Sequence, residues 1–228
     1  MRKRSLGPSL REGVLKTYAV KLECSGPLAM YARPDTAGHP TSYPVPTWSA
    51  TKGILESIAF LSRGEAWFCP TRVEICRRVG SPGGWVSFQR YAFNYGGPLR
   101  KRLSVKNGSR MQVFATIVAN PCYRIYAEVR GARADGERNP RHHLQHLFER
   151  RISQGRCYRT PALGWSEFTC DYWGPFRSEW ETDDALNVEI PSMLTSVWDR
   201  PRDGSYTCCF AQDVRIERGV LSYLLKNC

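Results

Sequence analysis

Tyr43, Trp48, Ser49, Thr51 and Lys52 fall in one short stretch, Ser42-Tyr43-Pro44-Val45-Pro46-Thr47-Trp48-Ser49-Ala50-Thr51-Lys52, with the residue types to hold a phosphate. A proline-punctuated loop leads into a helix. Free backbone N–H groups at a helix start, hydroxyls and a lysine together favour an anion. Aromatic rings beside such a site would stack bases. The same residues also suit a well-capped helix whose aromatics fill core, and the segment by itself favours that simpler role. A second group is His142, His143 and His146, three of only four histidines in the chain. His142 and His146 stand at i and i+4, so they share a helix face and could act as two metal ligands. No Glu follows in His-Glu-x-x-His order and no third ligand is evident, so no metal is expected. The ordinary alternative is a surface helix with histidines beside basic residues.

Charge gives these groups a context. The formal net charge is +12 over 228 residues, and it is unevenly spread. Residues 1–164 hold 27 Lys and Arg against 10 Asp and Glu, whereas residues 165–228 hold 6 against 11. A basic body followed by an acidic region points to a polyanionic partner, with the acidic part left for a protein neighbour. Charge alone specifies neither a base sequence nor a reaction. The nine cysteines are odd in number, scattered, and mostly in apolar runs (Cys69, Cys76, Cys122, Cys170, Cys208). They are expected as reduced thiols acting as small hydrophobes in a cytosolic protein, with no structural zinc and no cofactor. Arg2-Lys3-Arg4 is followed by no apolar segment, and no apolar run is long enough to span a bilayer, so neither a signal peptide nor a membrane partner is expected.

The elements that must position these groups follow from periodicity. Tyr18–Cys24 alternates as a strand. Ile54, Leu55, Ile58 and Leu61 form one stripe of a helix at about Thr47–Leu61. Trp67–Arg77 reads as a second strand. Met111–Val118 and Tyr123–Val129 read as strands around a turn at Asn120-Pro121. Asn139-Pro140 opens a second helix that Gly155 ends, and Phe168–Trp173 returns to the sheet. Between them, about 79–110 is broken by Gly80-Ser81-Pro82-Gly83-Gly84, Gly96-Gly97-Pro98 and Asn107-Gly108-Ser109, the composition of an excursion such as a hairpin. The order predicts an α+β chain: a ferredoxin-like (RRM-like) unit over 17–175 with that insertion, preceded by an extension 1–16. A small β-rich C-terminal part follows at 176–228, with hairpin-like pieces at Leu186–Val197 and Tyr206–Tyr223.

Two blocks carry a family resemblance. The first is Val20-Lys21-Leu22-Glu23, Leu28-Ala29-Met30-Tyr31-Ala32-Arg33-Pro34, Ser42-Tyr43-Pro44-Val45-Pro46-Thr47 and Lys52-Gly53-Ile54-Leu55-Glu56-Ser57-Ile58. The second is Asn139-Pro140-Arg141-His142, Phe148-Glu149-Arg150-Arg151, Gly155-Arg156-Cys157-Tyr158 and Pro161-Ala162-Leu163-Gly164-Trp165-Ser166-Glu167-Phe168. In order and spacing over about 17–175 these blocks resemble the CRISPR-associated Cas five family, subtype I-C. The resemblance implies a ferredoxin-like body with a thumb hairpin and a small C-terminal sheet domain. It also implies a place in the Cascade surveillance complex, gripping the 5′ handle of the crRNA. The partners would be the backbone subunit Cas seven, the large subunit Cas eight and, through the assembled complex, target DNA, in the prokaryotic cytoplasm. The RNA-contacting residues would be Arg33, Tyr43, Trp48, Lys52, Arg77, Arg78, Arg100, Lys101, Arg102 and Arg110.

The resemblance further implies cleavage of precursor CRISPR RNA without metal, through attack by the 2′-OH beside the scissile phosphate. That chemistry needs a base, a cation for the phosphorane and a proton for the leaving oxygen. The family's Lys-His pair falls on Arg141-His142: histidine suits proton transfer, and a guanidinium supplies charge but hardly a proton. Some members carry a tyrosine at the end of the first helix, where this chain has Ala59. Either another group such as Tyr43 or His146 takes over, or the chain binds RNA and leaves processing to another nuclease. A third possibility, an unrelated RNA-recognition module, is weakened by the absence of the aromatic ribonucleoprotein signature.

Overall fold

Alternation builds the main sheet. The computed structural model describes residues 17–62, 64–95, 111–131, 139–197 and 207–223. In β1 (Ala19–Ser25), Val20, Leu22 and Cys24 pack inward, while Lys21 and Glu23 point to the opposite face. β6 (Cys122–Gly131) lies antiparallel beside it and turns Tyr123, Ile125, Ala127 and Val129 the same way. β3 (Ala66–Arg78) adds Phe68, Val73 and Ile75 from β6's other side. Its register slips between Pro70 and Arg72, where proline has no N–H to give the ladder. The sheet continues through β7 (Tyr172–Gly174), β9 (Val188–Ser196), β10 (Cys209–Glu217) and β11 (Val220–Ser222) in the order β7-β1-β6-β3-β11-β10-β9, with β8 (Trp180–Thr182) paired to the end of β3. The acidic C-terminal strands thus extend the main sheet, because β11 pairs with Arg72–Glu74 of β3. No helix among the described residues is long and apolar enough to cross a membrane.

Two helices cover one face of this sheet. α1 (Trp48–Ile58) starts at Thr47, whose hydroxyl accepts from Ala50 N at 3.2 Å, and buries Ile54, Leu55 and Ile58. It stops before Leu61, the expected end, because the backbone at Ala59 turns extended. α2 (Pro140–Ser153) is capped by Asn139, carries Pro140 in its first turn, and buries Leu144 and Phe148. The rings of Phe68 and Phe148 meet at 5.2 Å and join helix to sheet.

A second sheet, β2-β5-β4, stands beside the first; it comprises β2 (Leu28–Ala29), β4 (Phe88–Tyr95) and β5 (Met111–Ala119). The strands on either side of Asn120-Pro121 therefore belong to different sheets, Asn120 turning at φ +50°. Ala115 and Ile117 of β5 bury against Met30 and Phe168, while Tyr91 meets the Phe168 ring and Phe93 the Trp165 ring, each at 5.2 Å. The stretch expected as a strand at Phe168–Trp173 is thus shared: Phe168 anchors the hairpin, and only Tyr172–Gly174 pairs with β1. Gly164, at φ +94°, sits where a Cβ would overlap the Met30 carbonyl. The Leu163-Gly164-Trp165 motif is therefore accounted for by packing.

The sheet's other face is held by charge. Glu23 is fully buried, accepting from Arg124 Nε at 3.1 Å and from Arg177 Nε at 2.6 Å. Arg124 donates onward to the Arg177 and Trp180 carbonyls, and Arg177 to Ser25 Oγ. Arg177 also lies 3.8 Å over the Tyr172 ring. These contacts fasten residues 172–180 to β1 and β6. Cys24, Cys69, Cys76, Cys122 and Cys170 are buried, and contact with the Cys170 thiol together with burial pushes the Cys24 thiol well up.

Tyr43 shows how a loop residue is absorbed. Its hydroxyl accepts from Leu194 N at 3.0 Å and donates to the Ser192 carbonyl at 3.4 Å, capping the edge of β9. Tyr43→Phe should therefore cost about 1–2 kcal/mol in chemical denaturation, the penalty for an unpaired strand-edge group. No loss would mean that water satisfies Leu194 and Ser192 equally well.

Candidate functional site

The start of α2 gathers the groups that could do chemistry. Asn139 accepts from Arg141 N through Oδ1 and donates from Nδ2 to the Tyr18 hydroxyl, both at 3.0 Å. One residue thus caps the helix and ties it to the head of β1. Gln145 adds a second tie, donating to the Ala19 carbonyl at 2.9 Å. On this frame His142 is exposed, its ring edge-on to Tyr18 at 6.2 Å and 5.4 Å from the His146 ring. The Arg141 guanidinium lies 5.4 Å over the other ring neighbour, Tyr18, and among the described residues no carboxylate pairs with it. Two imidazoles and an uncommitted cation at a helix N-terminus can move a proton and stabilise an oxyanion. Among the described residues no three His, Cys, Asp or Glu side chains converge as metal ligands.

The start of α1 does not offer the expected phosphate site. Thr51 is buried, its hydroxyl between the Thr47 carbonyl and the Tyr223 hydroxyl, 2.7 Å away. Ser49 is paired with Thr47. Trp48 is buried and donates from Nε1 to the Pro70 carbonyl at 3.2 Å, filling the gap left by the bulge in β3. Lys52 is buried over the Trp48 ring and paired with Glu56 at 4.0 Å. Tyr43 is 2% exposed. Tyr43, Trp48 and Lys52 are thus engaged in core and cap contacts, and the Tyr43 hydroxyl is bonded to Ser192 and Leu194.

The remaining basic residues divide. Arg77 is spent on protein: it pairs with Glu181 at 2.8 Å, approaches Asp183 and Asp184, and donates to the Ser81 carbonyl. Arg33 is at the surface, held by Asp35 in a two-pronged pair, and Arg78 is exposed beside the Trp180 ring. Arg100, Lys101, Arg102 and Arg110 lie outside the described residues. Sequence reasoning missed Tyr18 as a site residue, since a strand-leading tyrosine 124 positions from His142 carries no local signal. Ala59 is fully buried at the end of α1, next to exposed Phe60.

A family model described as CRISPR-associated protein (Cas5), of the Cas5d type, matches residues 19–200. The chain belongs to the Cas5 family. Two curated Cas5-family relatives bear the name CRISPR pre-crRNA endoribonuclease Cas5d. The one from Thermus thermophilus is 29% identical over 175 residues, covering 77% of this chain and 71% of the relative. The one from Mannheimia succiniciproducens is 28% identical over 165 residues, covering 67% of this chain and 71% of the relative. Among solved structures, a CRISPR-associated protein superposes with a TM-score of 0.63 at 18% identity, over 90% of this chain and 91% of that one. A functionally uncharacterized Streptococcus mutans protein gives 0.62 at 17%, over 90% and 92%. These two likenesses show a shared fold: mixed α and β, mostly antiparallel sheet, with two helices among the described residues.

Proposed function

We propose that this Cas5-family chain cuts precursor CRISPR RNA without metal and then remains on the crRNA 5′ handle as a type I-C Cascade subunit. The observation that carries this reading is exposed His142, backed by Tyr18 and flanked by Arg141 and His146 at the capped start of α2. The names of the two relatives support the same reaction. The 2′-oxygen bonds to the adjacent phosphorus as the P–O5′ bond breaks, leaving a 2′,3′-cyclic phosphate and a 5′-hydroxyl. His142 and His146, facing each other, take the 2′ proton and return one to the 5′ oxygen. Arg141 balances the charge that develops on the phosphorane. Tyr18 holds the His142 ring through its edge and so positions it.

The order β7-β1-β6-β3, with α1 after β1 and α2 after β6, supports a ferredoxin-like body over 17–175. In this reading β4–β5 is the base of the thumb, Arg33, Arg78, Arg100, Lys101, Arg102 and Arg110 are RNA contacts, and 176–228 is a β-rich part. Its acidic surface is left for protein partners in the prokaryotic cytoplasm, the backbone subunit and the large subunit, and target DNA is reached through the assembled complex. A second reading, handle binding without cutting, is favoured by one observation, Ala59 buried where some relatives carry tyrosine.

The test is incubation with the chain's own repeat RNA in EDTA, resolved on a denaturing gel. A single cut with a cyclic phosphate on the upstream product is expected. Intact RNA that still shifts on a native gel would overturn the nuclease and leave the handle-binding subunit.

A further inference from the structure

We propose that the surface where α1 ends against the loop after α2 is a second RNA contact, built to hold a single-stranded segment by stacking and by phosphate pairing. This rests on the RNA-binding part of the reading above. Tyr158 is 68% exposed and Phe60 43%, and their rings meet edge-to-face at 5.5 Å. Two exposed rings in contact form an apolar patch, which points to an interaction surface more than a lone exposed ring does.

The platform is built rigidly. Gly155, at φ +62°, ends α2 and lets Arg156 N reach the Arg151 carbonyl at 2.9 Å. Tyr158 N then donates to the Ile58 carbonyl and Arg159 N to the Ser57 carbonyl, at 3.2 and 2.8 Å. Arg151 donates to the same Ile58 carbonyl. The loop is thus fastened to the last turn of α1, which brings the two aromatic rings side by side.

Charge selects the partner. Arg150, Arg156 and Arg159 are exposed, and among the described residues no carboxylate pairs with them. Glu149 is the single acid of α2. Aromatic faces with arginines beside them fit a base and its phosphates, and single-stranded rather than paired RNA, whose bases are free to stack. Along α2, Arg150 and the helix end at Ser153 lie about 12 and 16 Å from His142, so a strand lying along α2 would meet both.

The experiment measures repeat-RNA affinity in EDTA at several salt concentrations for the wild type, R156E/R159E and Y158A, with thermal melts to show that each variant is folded. R156E/R159E should weaken binding at least about 10-fold and flatten the dependence of log K on log salt by about 1.4, two single-strand phosphates. Y158A should weaken it about 5- to 150-fold, the loss of one stacked base. Cutting at saturating protein should keep its rate, because these residues lie away from His142. Unchanged affinity and slope in R156E/R159E would overturn the proposal and hand the surface to an acidic protein partner, while wild-type cutting in the same assay would leave the nuclease reading standing. RNA bound but not cut by the wild type, with both variants weakened, would support this contact and overturn only the nuclease.

Discussion

Glu23→Ala should destabilise the fold by about 3–5 kcal/mol, a large part of the 5–15 kcal/mol that holds a typical domain together. The reason is what the substitution leaves behind. Glu23 is fully buried and receives both Arg124 and Arg177, whose side chains are only 16% and 25% exposed. Removing the carboxylate strands two guanidinium groups in a poorly solvated site, and the desolvation already incurred is no longer offset. Loss of the contact also frees residues 172–180, since Arg177 N binds the same carboxylate at 3.2 Å. Replacing Arg177 by methionine should cost less, because Arg124 remains to pair with Glu23. Equilibrium denaturation measures both. A loss below about 1 kcal/mol for Glu23→Ala would show that water reaches the arginines and that the buried pair contributes little. The effect should also be insensitive to salt, because a pair this deep is screened far less than surface charges.

Local rules carried much of the architecture. Alternation at Val20, Leu22 and Cys24, the Thr47 and Asn139 caps, and the glycine after α2 are all written in neighbouring residues, and each element formed close to where they put it. What could not be read locally is which surface a distant segment will cover. Tyr43 looks like an exposed loop aromatic until Leu194, 151 positions later, arrives beside it. Thr51 looks like a phosphate ligand until Tyr223 takes its hydroxyl. Trp48 is claimed by the Pro70 carbonyl beside the β3 register shift, and Arg77 by acids that follow a hundred residues on. The same logic hid the residues proposed above: Tyr18 joins His142, and Tyr158 joins Phe60, only across the fold. The basic-aromatic signature was legible as chemistry, but its address depended on burial.

His142→Ala should lower the cleavage rate about 10²- to 10⁴-fold while leaving RNA affinity within about 2-fold, the pattern of a lost proton-transfer group. The geometry motivates the split. His142 is exposed and makes no contact that the core depends on, its neighbours being the rings of Tyr18 and His146. Its removal therefore costs chemistry rather than structure. Arg141→Ala should lower both rate and affinity, since its guanidinium meets phosphate in the bound and the reacting states. Tyr18→Phe separates contact from hydroxyl: it keeps the ring edge against His142 and gives up the bond from Asn139. Near-normal cleavage in Tyr18→Phe with a large loss in Tyr18→Leu would identify the ring as what holds the imidazole. A pH–rate profile distinguishes these roles further, because removing one imidazole of a working pair should delete one limb of the profile, whereas a misplaced imidazole lowers the curve without changing its shape. If His142→Ala cuts at the wild-type rate, the α2 start is not the reaction centre. The buried Ala59 would then belong to a subunit that only holds the handle.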